Sequence, residues 1–176
     1  TDNGNSTWQP LLKRGNMALE DGDFAKADEL FEQVLNINPE CAEAYLGKLM
    51  AELHICKQDA LRDHADPFDD RNNYKKALRF ADDKLKSTLS GYIEHINNRN
   101  ENARLEGIYN HANDKMASAK TESAYKEAAS LFERIREYRD SATLANECYE
   151  KAEWARKDGV LSDAKSKMTG AVISNY

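Results

Sequence analysis

The chain has 176 residues, 40 % of them hydrophobic and 32 % charged, with a formal net charge of −6 at pH 7. That is enough apolar material for one folded domain, while no run of about 18 apolar residues is present to span a membrane and the first residues lack the basic-then-apolar pattern of a signal peptide. Residues 1–70 hold 6 Lys/Arg against 15 Asp/Glu, a net of −9, and residues 71–176 hold 19 against 16, a net of +3, so the acidic first part is a poor surface for nucleic-acid phosphates.

The stretch from Gly15 to Pro39 predicts a helical hairpin. Gly15 and Ala18 lie three apart on one helix face, and their small side chains let a second helix approach. Asp21-Gly22 ends that helix, since glycine accepts the left-handed backbone of a helix stop, and Asp23 caps the next. Phe24, Ala27, Leu30, Phe31, Val34 and Leu35 then form an apolar stripe of helical period. Asn38-Pro39 closes the unit, because a residue before proline is pushed out of helical geometry.

After Pro39, Ala42-Glu43-Ala44-Tyr45-Leu46 opens another helix running to about Cys56. The segment Lys57 to Asn72 intervenes as an insertion before Tyr74 and Ala77 repeat the spacing of Phe24 and Ala27. From Asp82 to Ser118, Leu85, Leu89, Ile93, Ile96, Ala103, Ile108, Ala112 and Met116 are mostly three, four or seven apart, which fits one or two long helices. Gly91 and Asn97-Asn98-Arg99-Asn100 are the places for a kink or break. Tyr125, Ala128, Leu131 and Phe132 then restore the stripe. Cys148, Ala152, Ala155, Gly159, Leu161, Ala164 and Met168 fit a final hairpin with its helix stop at Asp158-Gly159.

Gly15, Ala18, Gly22, Phe24, Ala27, Phe31 and Pro39 stand at the signature intervals of the tetratricopeptide repeat, a unit about 34 residues long, and the chain resembles that family. The resemblance covers the first third well, the last third moderately and the middle weakly. It implies an all-α fold, a right-handed superhelical stack of antiparallel helical hairpins, in one domain over 1–176. The repeats would be 7–39, 42–98 with its insertion at 57–72, 101–136 and 141–174. Phe132, Tyr138-Arg139-Asp140-Ser141-Ala142 and Glu147-Cys148 also resemble degenerate repeats of uncharacterised bacterial proteins. Thr1 in place of methionine points to a piece of a longer protein.

In this family the first helices of successive hairpins line a concave groove. Carried over by position, the groove side presents Leu12, Asn16 and Leu19 from one helix and Leu46, Met50 and Leu53 from the next. An apolar or amphipathic peptide fills that groove, or the inserted segment or long middle helix folds back and fills it; the need of the Leu85–Met116 stripe for a packing surface favours the second. Relatives that grip a carboxylate tail use a lysine and two asparagines. Asn16 matches one asparagine, but Leu12 and Gly47 replace the other two residues, so that clamp is not expected.

Other chemistry is thin. Cys41, Cys56 and Cys148 are odd in number and widely spaced, which fits a reducing compartment and no disulfide framework. His54, His64, His95 and His111 lack zinc-ligand spacing. Asp63, Asp66, Asp69 and Asp70 lack the glycine and closing glutamate of a calcium hand and read as a solvated acidic loop. The basic cluster Arg71, Lys75, Lys76, Arg79, Lys84 and Lys86 is interrupted by Asp82 and Asp83 and reads as a solvated helix face. Ser141 and Ser162 read as helix caps.

The expected role is a non-catalytic protein- or peptide-binding scaffold or adaptor within a larger bacterial protein. It would be cytoplasmic, or the soluble part of a membrane-anchored protein, with no cofactor, metal or nucleic-acid partner and no membrane insertion by this segment. The alternative is a structural spacer or self-assembly module, a homo-oligomer through end hairpins carrying Tyr149, Trp154 and Met168. An enzyme is the third reading, because no spacing here announces a cluster of titratable groups.

Overall fold

Helix is the only regular structure among the described residues. The computed structural model describes residues 7–173, and side chains as far as Thr169. In chain order it has α1 (Gln9–Glu20), α2 (Phe24–Ile37), α3 (Ala42–Glu52), a 3-10 helix (Gln58–Asp63), α4 (Asn72–Phe80), α5 (Asp83–Ser118), α6 (Glu122–Glu133) and α7 (Ser141–Ile173). Two compact units divide between Asn100 and Glu101, so α5 begins in the first and ends in the second.

Local signals account for the boundaries in the first unit. Pro10 sits in the first turn of α1, where its missing N–H costs nothing. Gly22 takes φ +76°, and the Asp23 side chain accepts a hydrogen bond from Lys26 N at 3.0 Å to start α2, a cap worth about 1 kcal/mol. α1 packs on α2, α2 on α3 and α3 on α4, and α1 also meets α3. Their apolar faces form one core with Phe31 at its centre, fully buried together with Ala27, Val34, Ala44 and Leu49.

Two segments outside these helices complete that core. Leu61 of the 3-10 helix and Phe68 beyond it are buried, as are Leu89 and Ile96 of α5, all within the same cluster. The inserted segment is therefore docked, and polar contacts hold it. Arg99 donates to the backbone carbonyls of His64 and Ala65, and Asn100 donates to Ala65 O at 2.9 Å. Phe68 also meets the Tyr74 ring edge-on at 5.6 Å between centroids.

In the second unit α6 packs along α7. Ala128, Ala129 and Phe132 of α6 share a core with Ala145 and Cys148 of α7 and Ala112 of α5. The turn before α7 carries a closed polar network. Arg139, at φ +50°, pairs with Glu106 at 2.6 Å and lies over the rings of Tyr109 and Tyr138. Tyr138 donates to Glu106 at 2.6 Å, and Tyr109 to Asp140 at 2.7 Å. The hydrogen bond from Tyr138 holds the Glu106 carboxyl below the usual carboxylate range. The Tyr138-Arg139-Asp140 sequence thus has a structural role as a strained turn whose charged groups satisfy one another.

Of the one or two long helices expected over Asp82–Ser118, there is one: α5 runs through Gly91 and Asn97–Asn100 without a break, with Leu89 and Ile96 buried on either side of Gly91. Three sequence expectations need correction. α7 runs through Asp158-Gly159, so residues 141 to 173 are one helix and no second helix returns along it; residue 174, the end of the expected repeat, lies outside the described residues. Where Asp23 caps α2 after Gly22, Val160 follows Gly159 and offers no side-chain oxygen to a new helix start. Ser141 is no cap, since its Oγ is buried without a hydrogen-bond partner, and Ser162 lies inside α7.

Candidate binding cleft

The approach of α1 to α3 is set by two glycines facing one ring. A Cβ placed on Gly15 would stand 2.6 Å from Phe31 Cε1, and one placed on Gly47 would overlap the same ring. Phe31, projecting from α2, is therefore clasped between backbone faces of α1 and α3 that any side chain would push apart. Gly47 is thus explained by packing, and an asparagine there could not fit.

Between α1 and α3 lies a cleft of about 310 Å³. Asn16, Leu19 and Glu20 form one wall and Glu43, Leu46, Gly47 and Met50 the other. Cys56, Lys57 and Gln58 close one end. They arrive there because α3 ends at Glu52, short of the expected Cys56. His54 takes φ +57° and Ile55 N donates to Met50 O at 2.8 Å, the backbone reversal of a helix stop. Left-handed backbone is uncommon outside glycine, although histidine adopts it more readily than most side chains, and the His54 ring rests edge-on against Phe24 at 4.8 Å.

Of the six groove residues expected from the sequence, Asn16, Leu19, Leu46 and Met50 line this cleft. Leu19, Leu46 and Met50 are buried in its floor, and Asn16 is exposed. Leu12 and Leu53 are half-buried against the first unit's core and do not line it. Glu20, Glu43, Lys57 and Gln58 had no signal in helical periodicity, since rim residues of a cleft look like any solvated positions; the return of Cys56–Gln58 depends on a backbone reversal at a residue that does not announce one.

The rim is polar and open to solvent. Glu20 and Glu43 are exposed, and neither has an ion-pair partner among the described residues. Behind Glu43, the Cys41 thiol donates to its carboxylate at 3.6 Å, and burial pushes that thiol's pKa up, which keeps it neutral. Lys48, on the far side of α3, pairs with Asp28 at 2.8 Å and Glu32 at 2.9 Å on α2. Among the described residues no three His, Cys, Asp or Glu side chains gather as ligands for a metal ion. None of their helices is long and apolar enough to cross a membrane.

No family model, no curated protein and no solved structure matches the chain.

Proposed function

We propose that the first unit is a peptide-binding scaffold of tetratricopeptide type, its hairpins stacked in the right-handed sense of that family, and that it serves as a non-catalytic adaptor. The observation that carries this reading is the cleft between α1 and α3, which has an apolar floor of Leu19, Leu46 and Met50 under an open polar rim. A concave site with apolar walls and a few placed polar groups suits a short extended or amphipathic segment. The two carboxylates at its edge favour a segment with a basic residue beside an apolar one. Asn16 offers an amide for the partner's backbone. The three free cysteines suit a reducing compartment such as a bacterial cytoplasm.

A random-peptide library panned on the full chain tests this. Enriched peptides should share an apolar residue next to Lys or Arg. Their binding should be lost on Asn16→Trp, which fills the cleft from an exposed position, and weakened about tenfold by Glu20→Lys with Glu43→Lys. Peptides that bind these variants as well as the parent chain would place recognition elsewhere, and a library with no enrichment would remove the reading.

A further inference from the structure

Beyond Ala155, α7 leaves the core of the second unit. Residues 156–169 are all exposed, although the helix continues through them to Ile173. A helical stretch of that length without tertiary cover is marginal in water. It also carries a seam. Trp154, Leu161 and Met168 recur every seven residues and are 77 %, 54 % and 71 % exposed. Ala164 falls between the last two on the same side. A seven-residue repeat keeps side chains aligned along one face and is the pattern of helices that pair along their length.

We infer that this seam of α7 pairs with the same seam of a second copy of the chain, in antiparallel orientation. The charges flanking the seam select both the partner and the direction. With Trp154, Leu161 and Met168 at the first position of the heptad, Ala164 takes the fourth, Asp158 and Lys165 the fifth and Glu153 the seventh. In a parallel pair, Glu153 of each copy would lie beside Asp158 of the other, two carboxylates in contact made twice by symmetry. In an antiparallel pair, Asp158 of each copy lies beside Lys165 of the other, an attraction made twice. Flanking charges of this kind set partner orientation in paired helices.

The neighbouring groups agree. Glu153 is paired with Arg156 at 3.0 Å, which softens its repulsion of Asp158 in a parallel pair, so the direction rests chiefly on Asp158 and Lys165, which have no ion-pair partner among the described residues. Antiparallel pairing also sets Leu161 of each copy against Ala164 of the other, large against small. Lys157, at the remaining fourth position, lays its aliphatic stem along Met168 of the second copy with its ammonium in water.

Sedimentation equilibrium of the full chain tests the inference. The mass should rise with concentration from one copy toward two. Leu161→Asp, at an exposed position that leaves the core of the second unit untouched, should abolish that rise while α6 and the first part of α7 keep their hydrogen-exchange protection. Asp158→Lys alone and Lys165→Asp alone should each weaken the dimer about tenfold, and the two together should restore it. A chain that stays monomeric throughout its soluble range overturns the inference, as does a dimer indifferent to Leu161→Asp. Tightening by Asp158→Lys overturns the antiparallel arrangement, because only a parallel pair would gain from it.

Discussion

Asp21-Gly22 and Asp158-Gly159 are the same dipeptide with opposite outcomes. At the first the backbone turns over at φ +76°; at the second α7 runs straight through. The difference lies in the residues C-terminal to each glycine. After Gly22 come a capping aspartate and a stripe that ends in Phe31, and turning back buries that ring between Gly15 and Gly47. After Gly159 come Val160 and Leu161, with no cap and no aromatic residue aimed at a waiting glycine. A glycine lowers the cost of a turn, but burial on the far side decides whether the turn is made.

The largest expected effects concern that burial. Phe31→Ala should cost about 3–5 kcal/mol in urea unfolding, the range for emptying a buried aromatic site. Phe68 is just as buried, at 1 % exposure, so Phe68→Ala should cost a comparable amount although Phe68 itself lies outside any helix. A loss below about 1 kcal/mol at Phe68 would detach the segment from the core and remove the end wall of the cleft with it. By contrast Trp154→Ala, at a site 77 % exposed, should leave unfolding of a dilute sample almost unchanged, within about 0.5 kcal/mol.

Replacing the two glycines tests the comparison with a difference in sign. Gly22→Ala forces an L-residue into left-handed backbone and should destabilise by about 1–2 kcal/mol. Gly159→Ala relieves a helix interior of its poorest ordinary residue, and no atom stands within 4 Å of a Cβ there. It should therefore raise helicity by circular dichroism, the local gain being about 0.5–1 kcal/mol. Two losses of similar size would mean that Gly159 also holds a turn.

Legibility in the sequence divides along the same line. Gly15, Gly22, Phe31 and Pro39 act locally or against near neighbours, and their spacing alone located α1, α2 and the turn between them. Leu19, Leu46 and Met50 were placed on the groove side by position in the resembled repeat, and they meet at the cleft. Hidden were features that depend on distant chain. Leu61 and Phe68 look like loop residues until Leu89 and Ile96 of α5 join them in one core. The reversal at His54, which carries Cys56–Gln58 to the cleft, puts a non-glycine residue at φ +57°, a conformation uncommon for any side chain even though histidine tolerates it better than most. The missing turn at Gly159 was unreadable from its own dipeptide, because Val160 and Leu161, which follow it inside α7, carry no capping side chain.

The smallest effect expected is electrostatic, and it separates the two regions by pH. In the first, Lys48 ties α3 to Asp28 and Glu32 of α2; in the exposed part of α7, pairs such as Glu153–Arg156 join residues of one turn. Burial works against the Lys48 charge, but its hydrogen bonds to Asp28 and Glu32 outweigh that and hold its pKa above the ordinary lysine value. As pH rises the unfolded lysine therefore loses its proton before the folded one does. The contribution is complete below the ordinary lysine pKa and is lost as pH climbs through the raised value. Burial also raises the pKa of the Cys41 and Cys148 thiols, so their loss begins at lower pH and runs in the same direction. Both carboxylate partners of Lys48 are more than half exposed, which limits the pair to about 0.5–1 kcal/mol. Urea unfolding from about pH 8 to pH 11 should show stability falling throughout, and Lys48→Met should flatten only the upper part of that fall. Hydrogen exchange should quicken in α2 and α3 over the same range, relative to the intrinsic rate, with no matching change in residues 156–169. An unaltered alkaline slope in the Lys48→Met chain would mean that the ion pair contributes nothing, and that the apolar core around Phe31 holds α3 against α2.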